Sequence, residues 1–179
     1  MKRIIPSVLI AGLIGLASCV QDSTKSGKFD RTGLNIPRNQ ADIFEFITNI
    51  EETKDTMQQR GPISVNRDST TIEVTGYMQE GQPVLVYAQY PAKQEWYYLK
   101  NSKLVFMKEM IGGADSISPI VENQFFYNDS TLLGNRTRSA GSLDSLAKIS
   151  FSEMIQVTSD YRFDPRKANE SAINFIYGR

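Results

Sequence analysis

The stretch Trp96-Tyr97-Tyr98-Leu99-Lys100-Asn101-Ser102-Lys103-Leu104-Val105-Phe106-Met107 decides the fold of this chain. Two runs rich in aromatic and apolar residues flank a polar Asn-Ser pair, the pattern of a β-hairpin closed by a two-residue turn. Such a turn sets Leu99 opposite Leu104 and Tyr97 opposite Phe106 on one side, with Tyr98 opposite Val105 and Trp96 opposite Met107 on the other. Both sides are then apolar. A sheet wetted on one side alternates apolar with polar, so this hairpin requires cover on both faces, from helices, a partner chain or a ligand.

Outward from the hairpin, a period of two extends from Ile63 to Thr137. Thr70 to Met78, Pro83 to Tyr90, Glu95 to Lys100, Lys103 to Met110, Val121 to Asn128 and Thr131 to Thr137 read as six strands. Turns fall at Glu80-Gly81, Pro91-Ala92-Lys93, Asn101-Ser102 and Asp129-Ser130, and a longer loop runs from Ile111 to Pro119. Upstream, Asn39 is a good N-cap, and Ile43, Phe46, Ile47, Ile50 and Met57 follow at helical spacing until Gly61-Pro62. The acidic Glu45, Glu51, Glu52 and Asp55 argue for a helix facing the core rather than an anionic bilayer. Downstream, Ser142 opens a stripe of Leu143, Leu146, Ala147, Ser150, Met154 and Val157, and Asp164-Pro165 opens another through Ala168, Ala172, Ile173 and Ile176. The expected fold is α+β: an antiparallel β-meander of about six strands with one N-terminal helix and two C-terminal helices, in one domain over 39–179.

Two hairpins align without gaps: Tyr97 to Leu104 on Phe125 to Leu132. The shared pattern is two aromatics, two residues, Asn or Asp, Ser, one residue, Leu. It resembles the repeated YY-x-x-NGKL hairpins of small bacterial lipoproteins and antitoxin-like repeat proteins, with Ser in place of the usual Gly. The resemblance implies a β-meander and no particular activity.

The 179 residues include 20 basic and 20 acidic side chains, one Cys and no His. Without histidine, Ser-His-Asp and Cys-His nucleophile systems and His-ligated metals are excluded. With no net charge and no basic run beyond the first three residues, nothing suggests nucleic acid as a partner. No cofactor and no metal are expected.

Lys2-Arg3 precede an apolar run from Ile4 to Ala17. As a helix it would span about 21 Å, short of a hydrocarbon core of about 30 Å, so it reads as a signal peptide over 1–18 rather than a membrane span. Its end, Leu16-Ala17-Ser18-Cys19, resembles the lipobox of bacterial lipoproteins. That resemblance implies cleavage before Cys19, acylation of its thiol and anchoring in a lipid bilayer. Val20 follows the Cys where enterobacterial lipoproteins retained in the inner membrane carry Asp, so the expected location is the outer membrane. With its one thiol acylated, the mature chain can form no internal disulfide and rests on its core. Residues 19–38 are polar and contain Gly27, Gly33 and Pro37, the composition of a flexible tether.

Of ten aspartates, six are followed by Ser or Thr and then by Thr, Met, Ile or Leu, well above chance. These triplets resemble the D-[ST]-[AILVMT] acceptor of periplasmic O-glycosylation in Bacteroidota-type bacteria; Asp-Ser and Asp-Thr are also favoured turn and cap pairs. Ser23, Ser69 and Ser116, in the tether or in loops, are the preferred acceptors.

Three constellations could carry function. Ser145-Leu146-Ala147-Lys148 is an S-x-x-K without its companion S-D-N, and reads as an ordinary amphipathic segment. Glu73, Glu95, Glu109 and Glu122 could supply a glycosidase pair, though sequence brings no two together. Trp96, Tyr98, Tyr87 and Tyr127 could form an aromatic platform for a sugar or peptide, though the same residues more readily make an ordinary sandwiched core; Arg136 and Arg138, two apart on one strand face, could meet an anion, though surface solvation is the simpler reading. The expectation is a non-catalytic binding or accessory module for an envelope protein or glycan, contacting it through Trp96, Tyr98, Tyr87, Arg136 and Arg138 and through the loop from Ile111 to Pro119. A small carboxylate-dependent glycan hydrolase and a structural or assembly subunit are the alternatives.

Overall fold

A computed structural model describes residues 36–67, 69–112, 118–129 and 131–177. Cys19 with its lipobox, the tether up to residue 35, and the acceptors Ser23 and Ser116 lie outside the described residues.

Helix α1 (Gln40–Thr53) begins as expected: the Asn39 side chain accepts from the Asp42 backbone N–H at 2.9 Å. Ile43 and Ile50 are fully buried, each contributing about 2 kcal/mol, and Phe46 and Ile47 pack beside them. The helix ends in a 3-10 turn (Lys54–Thr56) and does not reach Gly61-Pro62. Gln58–Arg67 forms instead an additional strand, β1, with an irregularity between Arg60 and Ile63. Sequence hides this strand because its first seven residues are exposed and mostly polar, and because Gly-Pro reads as a stop. On a sheet edge the missing proline N–H costs no ladder bond. Gly61 is required there: its φ is +100°, and a Cβ would lie 2.5 Å from the Val74 carbonyl oxygen.

Strands β2 (Thr70–Gln79), β3 (Gln82–Gln89), β4 (Lys93–Lys100), β5 (Lys103–Ile111), β6 (Ile120–Asn128) and β7 (Thr131–Ala140) complete one antiparallel sheet in sequence order. The architecture is therefore α+β with a seven-stranded meander.

Three hairpins, β2–β3, β4–β5 and β6–β7, share one construction. Each turn uses left-handed backbone, with φ of 51° and 79° at Glu80-Gly81, 53° and 59° at Asn101-Ser102 and 49° at Asp129. Two residue pairs later, each inserts an extra residue: Tyr77 pairs with Leu85 past Val84, Tyr98 with Phe106 past Val105, and Phe126 with Gly134 past Leu133. The bulge corrects the register expected from sequence. Tyr97 pairs with Met107 and Trp96 with Lys108, because the inserted residue shifts the phase of β5 and turns both Val105 and Phe106 towards α1. Sequence aligns the second and third hairpins; geometry adds the first, where Gly76-Tyr77 occupies the aromatic positions.

Both faces are covered, as the central hairpin requires, and helices provide the cover. On one face α1 packs on Leu85, Tyr98, Val105, Phe106 and Phe126. On the other, α3 (Pro165–Tyr177) sets Ala168, Ala172 and Phe175 against Tyr97, Leu99, Met107, Phe125 and Tyr127. The expected second helix shrinks to one turn, α2 (Leu143–Leu146). Beyond it Ser152 bonds the Thr137 backbone on the β7 edge, with N···O distances of 2.8 and 2.9 Å, so ladder bonds replace helical ones. Of its stripe, Leu146 is buried and Met154 half-buried, while Leu143 and Val157 are exposed. Among the described residues no helix is long and apolar enough to cross a membrane.

Candidate binding face

Cross-strand pairing defines a row on the α1 side of the sheet: Tyr87, Trp96, Lys108, Gln124 and Arg136 are successive partners from β3 to β7. A second row, Gln89, Gln94, Met110, Glu122 and Arg138, runs beside it. Four of the five residues expected at a contact surface, Tyr87, Trp96, Arg136 and Arg138, thus share one face.

Tyr98 does not join them. It is 2% exposed beneath α1, donates a hydrogen bond from its hydroxyl to Glu51 at 2.6 Å, and packs on Phe106. The aromatic pair of each hairpin splits between the two faces, and in this one α1 claims the second ring; Tyr98 belongs to the core. Burial works to raise the Glu51 carboxyl, but the hydrogen bonds from Lys54 and Tyr98 outweigh it and hold the group below its ordinary value.

The two arginines are also engaged within the fold. Arg138 donates from Nε to Glu122 at 2.8 Å, and Arg136 donates from Nε to the Gln124 side-chain oxygen at 2.8 Å. Their guanidinium carbons lie 4.3 and 4.2 Å from the Phe151 ring centroid. They form a stacked, hydrogen-bonded border to the face rather than an open receptor for an anion.

Tyr87 and Trp96 remain half-buried, their centroids 5.3 Å apart at 44°. The Tyr87 hydroxyl donates to the Gln89 side-chain oxygen, and the Lys108 ammonium stands 3.9 Å from the Trp96 centroid. Burial lowers the Lys108 ammonium from its ordinary value, with Glu122 and Glu51 opposing. The result is a flat aromatic pair beside amide and cationic groups, fixed on strands.

The opposite face carries two of the four candidate glutamates. Glu95 and Glu109 are direct partners on β4 and β5, and both are buried. Glu95 accepts from Tyr97 at 2.6 Å, Lys93 at 2.6 Å, Tyr90 at 2.8 Å and Tyr161 at 3.2 Å. Glu109 accepts from Asn123 at 2.9 Å and from Arg162. Burial first, and the Glu95 charge next, raise the Tyr90 hydroxyl far above its ordinary value. Both carboxylates are thus acceptors within a buried network of hydrogen bonds and ion pairs. Glu73 and Glu122 lie on the α1 side, so the four glutamates do not converge. Sequence could not find this network, because Tyr161 and Arg162 reach it from a separate 3-10 turn (Tyr161–Phe163).

Ser69 is exposed in the β1–β2 turn with φ of 67°. Among the described residues no three acidic side chains gather as metal ligands. The chain matches no known protein family, no curated protein and no solved structure.

Proposed function

We propose that this chain is an outer-membrane lipoprotein, anchored through acylated Cys19, whose domain binds an envelope glycan without catalysis. The observation that carries the binding reading is the half-open Tyr87–Trp96 pair on a rigid sheet, beside the amides of Gln89 and Gln94. Flat rings offer a sugar ring a large apolar area, and neighbouring amides offer donors and acceptors for its hydroxyls. The periplasmic or cell-surface location rests on the leader and its lipobox. The Asp-Ser and Asp-Thr triplets, with Ser69 on an exposed turn, fit a chain that is itself glycosylated after export.

Trp96 is the one tryptophan of the chain, so its emission reports occupancy of this face directly. Titration with soluble fragments of cell-wall and surface glycans is expected to change that emission saturably, and Tyr87→Ala to abolish the change. Emission that stays constant with every fragment overturns the glycan reading. Intact mass measured on protein from native membranes tests the anchor: the expected mass is that of a chain from Cys19 with acyl groups, and an unmodified full-length mass overturns it.

A further inference from the structure

A cleft of about 480 Å3 lies on the α3 side of the sheet, between the β1–β2 turn, the β3–β4 turn and α3. It is independent of the Tyr87–Trp96 face. Helix α3 has two stripes: Ala168, Ala172 and Phe175 face the core, while Lys167, Glu170, Ser171 and Asn174 recur three and four residues apart and line the cleft.

Across from that polar stripe, Tyr90, Lys93 and Tyr161 turn their polar ends to Glu95 at 2.8, 2.6 and 3.2 Å. This wall is fixed before any ligand arrives, which removes an ordering cost from binding. The cations of the cleft differ in what they already hold. Lys93 is paired with Glu95, and Lys167 lies 3.8 Å from Asp164. Arg67 stacks on Phe175 at 4.8 Å, and no carboxylate of the described residues pairs with it. A guanidinium fork oriented by stacking matches the two oxygens of one carboxylate.

Glu170 sharpens the choice of ligand, since it accepts from a hydroxyl but repels a second negative charge. Ser171 and Asn174 add neutral donors and acceptors, and the Tyr90 ring adds an apolar wall. We infer that this cleft binds a singly charged sugar acid, its carboxylate on Arg67 and its hydroxyls on Glu170, Ser171 and Asn174.

Isothermal titration of the full anchored chain in detergent, with glucuronate, glucose and inorganic phosphate as probes, tests this. The expected result is saturable binding of glucuronate, with glucose and phosphate each at least about tenfold weaker. Arg67→Ala is expected to weaken glucuronate about tenfold and Arg67→Lys to recover part of the loss, while Trp96 emission stays constant throughout. Glucose or phosphate binding as tightly as glucuronate overturns the inference, as does an Arg67→Ala variant that melts cooperatively and binds like the parent. Should Arg67→Ala fail to fold, Lys167→Glu decides, because that side chain is 62% exposed and outside the core. Weaker glucuronate binding supports the site, and unchanged binding overturns it.

Discussion

The rows Ala88, Glu95, Glu109, Asn123, Thr137 and Tyr87, Trp96, Lys108, Gln124, Arg136 cross the same five strands one residue apart, yet they live in different surroundings. The first lies beneath the 3-10 turn Tyr161–Phe163, and its polar groups bind one another, the neighbouring Tyr90, Lys93 and Tyr97, or side chains from that turn. The second lies at the rim of the α1 cluster, with Trp96 packed against it, and its rings remain half-open. The period-two geometry of a strand sends neighbours to opposite faces, and the cover on each face then decides their work. A charge that is enclosed must be matched where it stands, whereas a ring at a half-open position stays available to a ligand.

Removing one charge from the enclosed row has the largest expected effect. Glu95→Gln leaves Lys93 with only Glu109, 3.7 Å away, and should lower stability by about 3 kcal/mol in urea melts. A loss under about 1 kcal/mol would show the row to be solvated, and the contrast between the faces would fail. Trp96→Ala in the open row should cost only about 1 kcal/mol, much of it the Lys108 contact, while removing glycan binding. A cost equal to that of Glu95→Gln would make Trp96 a core residue.

A weaker, pH-dependent effect sits where α1 meets the sheet. Glu51 has its folded carboxyl held below 4.5, so it stabilises the fold above that pH, and the contribution is lost as pH falls through the lowered folded value. Tyr98→Phe removes one of the bonds that lower it and should shrink the difference between melts at about pH 6 and about pH 3.5. An undiminished difference would assign the acid sensitivity elsewhere. Smallest is Gly76→Ala, at the position where the other two hairpins carry an aromatic ring. A Cβ there meets only the Met78 sulfur at 3.9 Å, beside a 170 Å3 cavity, so a gain of about 0.5 kcal/mol is expected in the same melts. A loss would mean that the first hairpin is packed more tightly than its cavity implies.

The elements legible in sequence are those governed by local chemistry. Asn39 and Asp164-Pro165 open helices as written, and the polar pairs Glu80-Gly81 and Asn101-Ser102 close hairpins. What sequence hides depends on partners far along the chain. The polar β1 is a strand because β2 offers its edge, and the segment after Leu146 leaves the helix because β7 does the same. Each bulge hides in an apolar run, since Val105 and Phe106 look like any alternating pair until α1 takes both. For the same reason Tyr98 could not be told from Trp96 as a surface ring; sequence sets Arg136 and Arg138 on one strand face, and only the register across five strands brings Tyr87 and Trp96 to that face with them.

The repeated bulge has a consequence for how such a chain can change over generations. Because turn and inserted residue travel together within each hairpin, every unit returns the next strand in the phase in which it received the last. Duplication or loss of one hairpin therefore widens or narrows the sheet by two strands without exchanging its inner and outer residues. Breadth becomes a heritable variable separate from packing, and each added unit brings further positions on both faces where new specificity can arise.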